Sequence, residues 1–120
     1  MTSGWRLLAP VLLMLGICAS SAESIGLQSR TVEITDGKVV GENAIRFTKG
    51  GLGEIHWRTD KPMEIHFHGY DIEKQIEPGS DTVMTFELIA TGRFPVTVHA
   101  HSHSGNHGEQ TLLYVEVYPQ

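Results

Sequence analysis

From Thr31 to the end of the chain, apolar side chains recur at every second position in short runs, most of them closed by glycine, proline or aspartate. A period of two puts successive side chains on opposite faces of an extended strand, whereas a helix needs a period near 3.6. Thr31 to Thr35 alternates, and Asp36-Gly37 then marks a tight turn into Lys38-Val39-Val40. Ala44 to Thr48 is a third extended piece, stopped by Gly50-Gly51. Gly53 to Arg58 sets Ile55 and Trp57 against His56 and Arg58, and Met63, Ile65 and Phe67 oppose Glu64, His66 and His68. Pro78-Gly79 marks another turn. In Thr82 to Ile89 the better core face is Met84, Phe86 and Leu88. Phe94, Val96 and Val98 alternate after Gly92, and Leu113, Val115 and Val117 alternate within Leu112 to Tyr118. Some seven short strands, with no amphipathic helix, predict an all-β sandwich or barrel of antiparallel strands. Only Gly105 to Glu109 reads as an irregular polar loop.

The first residues follow a different rule. Arg6 precedes an apolar run from Leu7 to Ile17, followed by Ala19, Ser20, Ser21 and Ala22. Charged, then apolar, then small is the order of a secretory signal, and the run is short for a membrane span. The expected organisation is a signal peptide over 1–22, a flexible leader over 23–30 and one domain over 31–120. The mature protein is then periplasmic or secreted, with no stable membrane insertion after cleavage. Cys18 is the only cysteine and falls within the signal, which leaves the mature domain without disulfide or thiolate. Ile17 stands where a lipoprotein signal peptidase requires a small residue, so simple secretion is preferred over lipidation of Cys18. The formal net charge of -5, with no basic cluster, argues against nucleic acid or anionic lipid as partners.

Seven histidines remain, and their placement carries the chemistry. They gather as His66-Phe67-His68 and as His99-Ala100-His101-Ser102-His103, with His107 four residues further on. Residues i and i+2 of a strand point the same way, about 6.5–7 Å apart. Two imidazoles at that spacing can converge on one ion through bonds of about 2 Å. Neutral imidazole suits copper(II), zinc and nickel, and no thiolate is present to select otherwise. Either pair alone is as well explained by a solvated polar face; both together favour a metal site if the fold makes them neighbours. His56 is read as structural, and His103 and His107 as loop histidines less suited to be ligands. Asp71 and Glu64 are either acceptors for the distal N–H of ligating imidazoles or solvated strand-end charges. Tyr70 is read as a buried tyrosine with a bonded tip, and Gly69 as a point of turn or close backbone approach.

The strings Glu64-Ile65-His66-Phe67-His68-Gly69-Tyr70-Asp71, Glu77-Pro78-Gly79 and Gly92-Arg93-Phe94-Pro95-Val96-Thr97-Val98-His99 resemble the small secreted cupredoxin-like domains. The resemblance covers the chain from about Thr31 to Pro119, and the His-x-His-Gly-Tyr-Asp string is its most specific part. It implies a Greek-key β-sandwich with a metal site at one end. By position, His66 resembles the upstream histidine ligand of copper cupredoxins, and His101 resembles the second. Val98 falls where the ligating cysteine of that family stands, and the Asn106-His107 neighbourhood falls near its methionine.

Val98 decides against one function. A blue-copper centre depends on a copper–thiolate bond, so fast electron transfer of that kind is not expected. The leading expectation is a metal-binding protein that carries, buffers or delivers copper through His66, His68, His99 and His101. Zinc or nickel is the second choice of ion. Its partner would be an envelope oxidase or a metal-uptake protein. The alternative is a metal-free interaction or pH-sensing module that uses the titration of clustered imidazoles. A copper enzyme is the weakest reading, and no nucleophile-elbow pattern surrounds Ser102 or Ser104.

Overall fold

The computed structural model describes residues 26–99 and 108–120, together with the single positions 4 and 16. The rest of the expected signal segment, including Cys18, and the loop histidines His101, His103 and His107 lie outside the described residues. The strands are β1 (Leu27–Thr35), β2 (Lys38–Val39), β3 (Ala44–Thr48), β4 (Leu52–Thr59), β5 (Met63–Phe67), β6 (Ile72–Ile76), β7 (Thr82–Glu87), β8 (Gly92–His99) and β9 (Glu109–Tyr118). They form two sheets, ordered β2-β1-β4-β7 and β3-β9-β8-β5-β6.

The local rules act as the sequence suggests. Asp36 (φ 51°) and Gly37 (φ 75°) are both left-handed and join Thr35 to its opposite partner Lys38. Two such residues give the hairpin turn whose twist matches that of its strands. The alternating apolar sets all point inward: Ile55 and Trp57, Met63, Ile65 and Phe67, Met84, Phe86 and Leu88, and Leu113, Val115 and Val117 are buried. Phe67 is the hub of an aromatic cluster, with ring centroids 4.9 Å from Tyr70, 5.0 Å from Phe86 and 6.4 Å from Phe94. Burial of each such ring contributes roughly 1.5–3 kcal/mol. The Tyr70 hydroxyl donates to the Ala90 carbonyl at 2.9 Å, which ties the turn after β5 to the segment between β7 and β8.

Three expectations are corrected. The sheets are mixed, because β1 runs parallel to β4 and β3 parallel to β9. The chain crosses to the second sheet at β3 and returns at β4, so the returning strand lies along β1 in the same direction. β1 begins at Leu27, so part of the expected leader is paired with β4. β6 has no counterpart in the sequence reading, because Glu73, Lys74 and Gln75 are all exposed and interrupt its alternation. It is the edge strand beside β5, where charged side chains deter pairing with a foreign strand.

Candidate metal centre

Ile65 and Phe67 are fully buried, so His66 between them points to the outer face of the five-stranded sheet. On β8, Thr97 is registered opposite His66, while Val96 opposes Phe67 and Val98 opposes Ile65 on the inner face. His99, two residues beyond Thr97, therefore returns to the outer face. His68 follows the end of β5, and its backbone N–H donates to the Pro95 carbonyl at 3.0 Å. Gly69 makes the next step possible. Its φ is +87°, and a Cβ there would lie 2.3 Å from Cδ1 of Phe94, so neither the backbone nor the space admits a side chain.

The last contributor comes from β9. Its register against β8 slips between Val96 and Thr97: Val96 opposes Leu113, Thr97 opposes Thr111 and His99 opposes Glu109, which leaves Leu112 as the extra residue of a β-bulge. Inner Leu113, Val115 and Val117 would by simple alternation place Thr111 and Glu109 inward as well. The bulge reverses that parity and turns Glu109 onto the histidine face.

His66, His68 and Glu109 thereby bring one potential ligand atom each to within 4.8 Å of one another. The two imidazole rings lie 4.0 Å apart, centroid to centroid, at 37°. Nε2 of His68 is 3.5 Å from Oε2 of Glu109 and shares a 2.9 Å hydrogen bond with Oγ1 of Thr97. Nε2 of His66 lies 3.2 Å from Oδ1 of Asp71, whose side chain is 94% exposed. Nε2 of His99 is 3.8 Å from Oε1 of Glu64 and 3.9 Å from Oε1 of Glu109. Glu64 and Asp71 thus each lie beside an imidazole.

The donor set fits a divalent first-row metal. Ligands around one ion with bonds near 2.1 Å stand about 3–4 Å apart, so the cluster needs to close by only about an ångström at its widest separation. Two imidazoles and a carboxylate leave coordination positions open toward solvent. Of the four residues expected to be ligands, His66 and His68 meet in the cluster, His99 lies beside Glu64 and Glu109, and His101 lies outside the described residues.

One expectation about the site is corrected. The cluster occupies the outer face of the five-stranded sheet, where β5 ends and β9 begins. His66 and Val98 lie on opposite faces of that sheet, so they cannot be the upstream histidine and the cysteine position of one cupredoxin-type centre. Glu109 escaped the sequence reading, which placed it in a loop. The signal that could have found it is Leu112-Leu113, an apolar doublet that breaks the alternation where the bulge lies.

His56 lies apart, on β4 in the other sheet. Its Nε2 is 2.7 Å from Oε1 of Glu54 and its Nδ1 is 2.8 Å from Oδ2 of Asp81. With a carboxylate at each nitrogen, the ring serves as a polar tie rather than a chelate. The hydrogen bond to Asp81, then that to Glu54, raises its pKa above the ordinary histidine value, and the same bond to His56 lowers that of Asp81.

No protein-family model matches the chain, and no curated protein matches it in sequence. Solved structures match it in fold. A copper binding protein determined by NMR in the apo form is 17% identical, with a TM-score of 0.59 over 79% of this chain and 91% of that one. A subunit from the cryo-EM structure of a heme-copper terminal oxidase dimer is 19% identical, with a TM-score of 0.58 over 75% of this chain and 64% of that one. A multi-copper oxidase from Pseudomonas thermotolerans is 17% identical, with a TM-score of 0.58 over 80% of this chain but only 30% of its own length. At such identities the likeness is one of architecture, and it defines the fold as a cupredoxin-like β-sandwich.

Proposed function

We propose that this chain is an exported copper-binding protein that holds copper(II) on the outer face of its five-stranded sheet through His66, His68 and Glu109. The observation that carries the reading is the convergence of those three donors within 4.8 Å. Imidazole and carboxylate suit copper(II), and copper(II) outcompetes nickel and zinc at a site of this kind. Fold neighbours described as copper proteins support the same ion. The role is handling rather than turnover: carrying, buffering or delivery to an envelope oxidase or a metal-uptake protein. An open site supports this, since His68 is 34% and Glu109 42% exposed, and such a face does little to exclude water from a reaction.

Titration with copper(II), followed by electron paramagnetic resonance, tests the reading. The protein is expected to give a nitrogen-coordinated, tetragonal signal that the His66→Ala/His68→Ala variant loses. A double variant that keeps the wild-type affinity and spectrum overturns the assignment. Export is checked by amino-terminal sequencing of protein from its native compartment, with Glu23 expected as the first residue.

A further inference from the structure

Thr97 is the one buried polar residue among the described residues, at 6% exposure, although it stands on the outer face of its sheet. Its neighbours there are the histidines: His66 is registered opposite, and Oγ1 of Thr97 lies 2.9 Å from Nε2 of His68. A hydroxyl withdrawn from water has to find its hydrogen bond within the protein, and His68 provides it. A second oxygen, Oε2 of Glu109, stands 3.5 Å from the same Nε2. An ionised carboxylate can only accept, and a threonine hydroxyl can accept as well. With both oxygens gathered at Nε2, the proton of the neutral ring belongs on that nitrogen, and the lone pair is left on Nδ1.

We infer, on the copper(II) reading proposed above, that Thr97 is a positioning residue of the site: it accepts the Nε2 proton of His68 and so presents Nδ1 to the ion. Ligating imidazoles commonly donate their second N–H to a fixed acceptor, and loss of that acceptor costs about 10–100-fold in metal affinity. His68 stands one residue beyond β5 and is 34% exposed, so its ring depends on such a bond for a fixed orientation. The competing account is packing alone, in which Thr97 is simply a β-branched residue suited to a strand.

Two substitutions separate the accounts, because each keeps one half of the side chain. Thr97→Val keeps the branched shape and drops the hydroxyl, whereas Thr97→Ser keeps the hydroxyl and drops the methyl. Copper(II) titration should find Thr97→Val weaker by about tenfold or more and Thr97→Ser at the wild-type affinity. Added to His68→Ala, the Thr97→Val change should cost nothing further, since the hydroxyl acts through that ring. Nitrogen NMR of the histidine rings should place the His68 proton on Nε2 in the metal-free protein and the metal on Nδ1 in the zinc(II) form. The role is overturned if Thr97→Val binds copper as well as the wild type, if Thr97→Ser weakens as much as Thr97→Val, or if the metal sits on Nε2. Failure of the site itself reads differently: His66→Ala/His68→Ala then keeps the wild-type affinity, whereas loss of copper there with none in Thr97→Val removes the role of Thr97 alone.

Discussion

The bulge on β9 makes a prediction that a regular ladder would not. Deleting Leu112 removes the bulged residue, which has no partner opposite β8 between the paired Thr111 and Leu113. The pairs Val96–Leu113, Thr97–Thr111, Val98–Gln110 and His99–Glu109 can then form an unbroken ladder, with Glu109 still on the histidine face. Leu112 is buried, at 8% exposure, so its loss forfeits roughly 1.5–3 kcal/mol of apolar burial. One ordered residue fewer returns about 1–2 kcal/mol of backbone entropy. The net destabilisation is therefore about 0–2 kcal/mol, within what a domain of about 5–15 kcal/mol tolerates. Urea unfolding measures that change, and copper(II) titration measures the site, which should keep its affinity within about threefold. The counterpart exchanges two neighbours, Glu109→Gln with Gln110→Glu, at constant composition and charge. Position 110 is registered with Val98 on the other face, so the carboxylate leaves the site and affinity should fall tenfold or more, about 1.4 kcal/mol. A folded deletion variant that loses copper, or an exchange variant that keeps full affinity, refutes the parity argument.

Other perturbations test separate links. Copper(II) at a hundredfold excess over its dissociation constant should stabilise the protein by about 2.7 kcal/mol, read as a rise in melting temperature that His66→Ala/His68→Ala abolishes. Gly69→Ala should lower stability by about 2–4 kcal/mol in urea, the sum of a left-handed alanine and a collision with Phe94; a loss below about 0.5 kcal/mol would remove Gly69 as a constraint. Val98→Cys should yield no intense thiolate-to-copper absorption, because position 98 faces the core opposite Ile65 while the histidines face outward. His56 and Asp81 set a pH window. The raised pKa of His56 gives stability that is full below 6.5 and is lost as pH climbs through its folded value, whereas the lowered pKa of Asp81 gives stability that is full above 3.8 and is lost as pH falls. Glu54 faces the other nitrogen of His56, and Arg58 lies 3.4 Å from Asp81. Melting temperatures across pH 3 to 9 should show this maximum in the wild type and a flatter profile in His56→Gln.

The parts of the fold that could be read in advance are those set by neighbours one or two residues apart. The inward sets of β4, β5, β7 and β9 follow from alternation, since only one face of each strand meets the core. The Asp36-Gly37 turn follows from the left-handed backbone that both residues accept. What alternation cannot express is which strand lies beside which. β1 pairs with β4 only because β3 leaves for the other sheet, and no local pattern in Leu27 to Thr35 records that departure. β6 was hidden for the opposite reason. As an edge strand it carries three exposed polar residues in succession, which suits water on its open side and erases the periodic signal.

The site divides along the same line. His66 and His68 were legible as a pair because spacing in sequence becomes spacing on a face. Glu109 was not, because one bulged residue reverses the parity of everything before it, and a single extra leucine is a small mark in a sequence. The resemblance by position set His66 and Val98 into one centre, yet alternation alone separates them: Ile65 and Phe67 are inward, so His66 is outward, and Val98, opposite Ile65, is inward. The period of two that revealed the histidines was thus already sufficient to divide them from the cysteine position. A metal on this sheet must draw its ligands from the solvent side, where β5, β8 and the bulged start of β9 lie next to one another.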